Sequence, residues 1–229
     1  MISLCVSVQH PNEPALAKAA GADGAVVVGA SGVREACELC GLPIVAVRPA
    51  ACLPEAADLP LVPRGTPPSL ILLGAPVPTA EDRRSMEGIK AFRLRIIEVL
   101  EGLAEWAEAE EHRICISSRA DSFFEGALEL TEVLRAVGSD RLLYALNTFD
   151  AEECGDGLSG ATDICGDMLG HVVAEDRAGN SRVAPGLGQI PFDRLFEQLR
   201  LLGYEGAVEV AAVPDAWEGA IAHLKRAMS

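Results

Sequence analysis

The sequence predicts a compact α/β fold, a (β/α)8 TIM barrel formed by residues 1–229 as one domain. Three observations predict it. Eight short apolar runs rich in Val, Ile and Leu alternate with helical segments, and that alternation means parallel strands. The runs are apolar on both parities, as strands covered on both faces should be. No G-x-G-x-x-G follows a strand, as an open dinucleotide-binding sheet would need. The nearest string, GLGQ from Gly186, reads as part of a loop without a preceding strand. At 229 residues the chain is a trimmed version of a fold that typically needs about 250.

In chain order the strands are ISLCVSV (2–8), GAVVVG (24–29), PIVAVRP (43–49), SLILLGA (69–75), RICISSR (113–119), LLYALNT (142–148), GHVVAED (170–176) and GAVEVAAV (206–213). Helices are read at 14–22, 32–41, 80–111, 124–138, 191–202 and 215–228, with the weakest signal at 157–168. Gly21, Gly41, Gly138 and Gly203 stand where a helix would end on a left-handed residue. The proline-rich stretch 49–68 reads as a long irregular βα loop.

Hydrophobic residues make up 49% of the chain, enough for a sizeable core, and the formal charge is −15. That charge argues against a nucleic-acid partner, because such binding relies on Lys and Arg neutralising phosphates. No apolar run reaches the about 18 residues of a membrane span. The first residues show no basic and apolar leader pattern, so a cytoplasmic location is expected. The seven cysteines are an odd number and are expected as thiols. Cys37 and Cys40 form a C-x-x-C, but no second pair completes a four-ligand zinc site. On a helix the two share a face, which favours packing over redox or metal chemistry. Self-association is left open.

The C-terminal part carries a family likeness. APGLGQIPFDRLFEQLRLLGYEGAVEV (184–210) is similar to a PGEG-I…L-GYDG signature that joins strand seven to strand eight. GHVVAED is similar to an H-x-H-x-K-D strand seven, LLYALNTFD to a strand six carrying D-T-x-H, and ICISS to a strand five ending in I-E-P. On these residues the chain resembles the xylose isomerase-like family of sugar isomerases and epimerases, which includes the AP endonuclease family 2 proteins. The likeness covers 113–229 well, and the first half only by the order of its elements.

The resemblance implies a divalent metal held by Glu, Asp, His and Glu at the C-terminal ends of strands five to eight, a donor set suited to Mn²⁺ or Mg²⁺. Carried over by motif, those positions fall on Ser117, Asn147, Val173 and Ala211, and the His of D-T-x-H falls on Asp150. All four ligands are changed, so neither a metal nor another cofactor is expected. His171 and Glu209 lie two residues before the ligand positions, roughly 7 Å deeper in the barrel at about 3.3 Å per residue. Metal bonds of about 2 Å do not close across that offset.

Strand parity turns another polar set inward. It comprises Ser117 and Arg119 on strand five, Asn147 on strand six, His171 and Glu175 on strand seven, and Glu209 on strand eight. Arg48 and His10 close strands three and one at the same, C-terminal barrel end, where such barrels place their sites. Glu209 between Val208 and Val210 is costly to bury unpaired, so it is expected to pair with His171, Arg119 or both. His112 and His223 read as solvent-facing. Two functions remain. One is a metal-independent isomerase or epimerase on a small polyhydroxy or carbonyl compound, with Glu209, His171 and Glu175 as acid and base and Arg119, Asn147, Ser117, Arg48, His10 and Asp150 binding substrate. The other is a catalytically silent relative that binds a small molecule or partner.

Overall fold

The computed structural model describes residues 2–28, 32–49, 70–74 and 76–229. The elements run β1 (Ser3–Val8), α1 (Glu13–Ala19), β2 (Gly24–Val28), α2 (Val33–Cys40), β3 (Ile44–Arg48), β4 (Leu70–Leu73), α3 (Met86–Ala109), β5 (Arg113–Ser117) and α4 (Ala127–Val137). Then follow β6 (Leu142–Asn147), α5 (Thr148–Glu153), α6 (Gly157–Cys165), β7 (Leu169–Ala174), β8 (Asp176–Ala178), β9 (Ser181–Val183), α7 (Phe192–Leu201), β10 (Ala207–Val210) and α8 (Trp217–Ala227). Eight strands close into a barrel in the order β1-β10-β7-β6-β5-β4-β3-β2. All eight pair in parallel, and Ser3 to Val6 of β1 sit opposite Ala207 to Val210 of β10 at the closure. All eight predicted strands are present, β10 being the eighth. The reading of residues 49–68 as an irregular loop falls, from residue 50 onward, outside the described residues.

Strand parity explains why both faces are apolar. Leu4, Val6, Ile71, Leu73, Ile114, Ile116, Val208 and Val210 pack outward against the helices. Their neighbours Cys5, Val26, Ala46, Leu70, Leu72, Cys115 and Ala145 fill the barrel as a separate cluster. The inner set is mostly small, which suits a narrow barrel closed by eight strands. Gly170 shows how tight it is: a Cβ there would meet the Cys115 Sγ at 2.5 Å and the Leu143 Cβ at 2.7 Å. The β6–β7 register shifts beside it, between Tyr144 and Ala145.

Several local expectations are corrected. The helix read over 80–111 is broken at Ser85, whose extended backbone (φ −149°) separates a short 3-10 turn from α3 and whose side chain caps α3. The weak segment at 157–168 is helical as expected, forming α6 and a 3-10 turn, but it is preceded by a further helix, α5, that the sequence reading did not include. The loop holding Gly186 does follow a strand, the short β9, which pairs antiparallel with β8. His112 is buried rather than solvent-facing and stacks on Trp106 with ring centroids 5.2 Å apart. The chain turns it inward through Glu111, a non-glycine residue with φ +58°. His223 is half-buried, edge-on to Phe192. Cys37 is buried in the core, and the Cys40 thiol faces the Cys37 carbonyl at 3.4 Å, so the pair serves helix packing. Among the described residues no helix is long and apolar enough to cross a membrane.

Candidate functional site

A cavity of about 860 Å³ opens at the C-terminal end of the barrel. Its floor is a buried ion-pair cluster built on Glu209 of β10. Glu209 and His171 of β7 are both fully or almost fully buried. Arg48, at the end of β3, holds the carboxylate with two parallel bonds, Nη1 to Oε1 at 2.9 Å and Nη2 to Oε2 at 2.7 Å. The Ser7 hydroxyl of β1 donates to the same Oε1, and His171 Nε2 lies 3.1 Å from Oε2. Ser7 also accepts from Arg48 Nη1 at 3.3 Å.

An ionised carboxylate only accepts, so Nε2 of His171 bears the hydrogen. Burial alone would raise the Glu209 pKa; the Arg48 charge and the His171 bond outweigh it and hold the carboxyl at about 2. Burial pushes the Cys5 thiol, next to Glu209 across the β1–β10 pair, well up, and the Glu209 charge pushes it further.

A second network lies at the rim. Asn147 ends β6 and caps α5, its Oδ1 accepting from the backbone of Phe149 at 2.9 Å and Asp150 at 3.1 Å. Its Nδ2 donates to Glu175 at 3.1 Å. Arg182, from the β8–β9 hairpin, bonds Asp150 at 2.6 Å and pairs with Glu175. Its guanidinium lies over the Phe149 ring at 4.2 Å. Burial raises the Asp150 carboxyl above its ordinary range, and Arg182 offsets this only in part. Arg182→Ala should therefore raise the Asp150 pKa further, read by ¹³C carboxyl titration. Because the Arg182 side chain is 40% exposed, the stability loss should be only about 1 kcal/mol. An unchanged Asp150 titration would show that Arg182 does not hold it.

The loop that shapes the rest of the mouth hangs on Asp176. This buried carboxylate accepts from the backbone N–H of Gly186, Gly188 and Ile190, each at 2.9 Å. Gly188 has no room for a side chain, since a Cβ would lie 2.4 Å from both the Arg177 carbonyl and Asp176. The PGLGQIP string is thus a loop wrapped around one carboxylate.

Ser117, Arg119, Asn147, Asp150, His171, Glu175, Glu209 and Arg48 all line the cavity. His10 does not: it is exposed beyond β1, its backbone N–H bonded to Glu13 at 3.1 Å. Arg119 is not the partner of Glu209 either. It stands at the rim, paired with the exposed Asp121, and Arg48 takes the place expected for it. Arg182 was missed, although Gly179-Asn180 between Ala178 and Ser181 is a recognisable two-residue hairpin signal.

The family of xylose isomerase-like TIM barrels matches residues 33–227, from α2 to the end of α8 and so including the Asp176-bound loop. The chain belongs to this family. No curated protein sequence matches it. Among solved structures it is similar to 3-keto-D-glucoside 4-epimerase YcjR from E. coli, with a TM-score of 0.80 and 18% identity over 99% of this chain and 100% of that one. It is also similar to an L-ribulose 3-epimerase, with a TM-score of 0.77 and 14% identity over 100% and 95%. An AP endonuclease of family 2 from Brucella melitensis superposes with a TM-score of 0.77 and 16% identity over 99% of each chain. At these identities the likeness is one of fold. Ser117, Asn147, Val173 and Ala211, onto which the resemblance carries the metal-ligand positions, all line the cavity. They present a hydroxyl, a carboxamide and two hydrocarbon side chains. Among the described residues no three His, Cys, Asp or Glu side chains are grouped to hold a metal ion.

Proposed function

We propose that the barrel mouth binds a small polyhydroxy or carbonyl compound without the family's divalent metal. The saturation of Glu209 supports this reading. A carboxylate offers about four lone-pair sites, and here Ser7, both Arg48 nitrogens and His171 occupy them. A divalent ion does not fit that donor set, because the guanidinium already supplies the positive charge. Proton transfer is also poorly served. A general base needs a free lone pair and a pKa near the working pH, and Glu209 sits at about 2. His171 gives its Nε2 hydrogen to Glu209, and its Nδ1 is buried with no partner among the described residues.

What remains for a ligand is a set of fixed donors and acceptors. The Arg48 side chain is 34% exposed and faces the cavity, with Nε–H and the outer Nη2 hydrogen not taken up by any of the described residues. Because Glu209 balances its charge, it suits a neutral carbonyl or hydroxyl oxygen. Ser117, Arg119 and Asn147 add further groups above it.

Isothermal titration calorimetry with a panel of aldoses, ketoses and sugar acids, with EDTA and then with Mn²⁺, tests the reading. Saturable binding unaffected by EDTA is expected, weakened about fivefold by Arg119→Ala. Binding seen only with Mn²⁺ or Mg²⁺, or none across the panel, would overturn it. Deuterium uptake into the sugar from D₂O separates turnover from binding.

A further inference from the structure

We infer that the compound taken up at this mouth carries a hydrocarbon face beside its oxygens. The inference rests on the reading of the mouth as a site for a small oxygenated compound, and it narrows that class. The cavity has two chemically different walls. One rises from β5, β6 and the β8–β9 hairpin and bears Arg119, Asn147, Asp150 and Arg182. The other rises from the end of β10 and from the loop before α7. It consists of Ala211, Ala212 and Val213 in succession, with Ala184 and Leu187 beside them.

That second wall is unusual in two respects. Within a strand, alternate residues would turn away toward the helices. Here β10 ends at Val210, whose side chain packs outward, and the three residues after it all reach the cavity, so the chain shows it an unbroken apolar run. Single exposed apolar side chains need no explanation, but Leu187 at 70% and Val213 at 68% exposure converge on the same mouth.

Part of the backbone of this wall is also occupied. The Ala211 N–H donates to the Ala174 carbonyl at 3.0 Å, and the Val213 carbonyl accepts from Ala216 at 2.9 Å. The Ala212 carbonyl accepts from the Trp217 indole at 2.9 Å, and the Leu187 N–H donates to Ala184 at 3.1 Å. A hydroxyl pressed against these residues would lose water and find few partners. A hydrocarbon surface loses nothing there and gains from burial. The polar wall and Arg48 meanwhile take the oxygens.

The probes are methyl β-D-glucopyranoside and phenyl β-D-glucopyranoside, which share a sugar and differ in hydrocarbon surface. A ring edge losing about 55 Å² of apolar surface gains about tenfold in affinity, or about 1.4 kcal/mol. Calorimetry on the wild type should show the phenyl glucoside binding about tenfold more tightly. In the Leu187→Ser/Val213→Ser double variant the advantage of the phenyl over the methyl glucoside should vanish. Both positions are well exposed, so the variant keeps its fold, checked by its melting temperature. Equal affinities in the wild type would overturn the inference and leave the mouth as a polyhydroxy site. So would an advantage that survives in the double variant. If neither glucoside binds, this inference falls, and the wider sugar panel alone decides the reading beneath it.

Discussion

Arg48→Met should lower the unfolding free energy by about 3–5 kcal/mol, the range for breaking a buried pair from one side. For a chain of this length that is a fall of roughly 10 °C in melting temperature. The cost comes from Glu209. Its side chain is 3% exposed, and without the guanidinium its charge is left with Ser7 and His171 alone. The reverse change is gentler. In Glu209→Gln the stranded group is Arg48, which is 34% exposed and can turn toward water in the mouth, so a smaller loss is expected. Arg48→Met/Glu209→Gln removes both charges and keeps an acceptor for His171. It should recover most of the stability lost by Arg48→Met.

The pH dependence follows the same pair. The folded Glu209 pKa is depressed from 4.5 to about 2. Its contribution is therefore complete above about pH 4.5 and is lost as pH falls toward 2. In Arg48→Met that depression is largely gone, and the acid limb of the stability curve should move to higher pH. A melting temperature within 2 °C or so of the wild type would show that the pair contributes little to folding.

Asp176→Ala should be comparably damaging, at about 3–5 kcal/mol. Four backbone N–H groups, those of Arg177, Gly186, Gly188 and Ile190, lose their acceptor together. Each is charge-assisted, and such a bond contributes about 1.5–3 kcal/mol. Local rearrangement and water recover part of the sum. The loop that carries Leu187 should then open, so hydrogen exchange at 186–190 should accelerate by orders of magnitude. Protection unchanged over those residues would mean that the loop holds its shape without the carboxylate.

The fold was legible in the sequence because it is written locally. Each strand needs only its own apolar run, and the inward set follows from parity, so Glu209 and His171 could be placed in the barrel and paired. The choice between Arg48 and Arg119 could not be read in this way. It depends on how far β3 and β5 stand from β10 across the closed barrel, a distance set by all eight strands together. His10 failed for a related reason. It lies two residues beyond β1, where parity no longer governs direction. His112 was misread because its helical neighbourhood hid the left-handed step at Glu111 that turns it inward. Arg182 was within reach, since Gly179-Asn180 signals the hairpin, but its partner Asp150 comes from 32 residues earlier in the chain.

The closure of the barrel also has a consequence for how the molecule comes into being. Ser7 and Glu209 are 202 residues apart, and Arg48 and Glu209 161 apart. Contacts of such long range form late, after the entropy of the intervening loop has been lost. A growing chain meets Arg48 early, at β3, but supplies its anion only when β10 has been made and has inserted between β7 and β1. Until then the barrel has an open seam and the guanidinium has no mate inside it. The pocket floor is thus assembled last, and the carboxylate that shapes it also takes the Ser7 hydrogen bond that ties the first strand to the last.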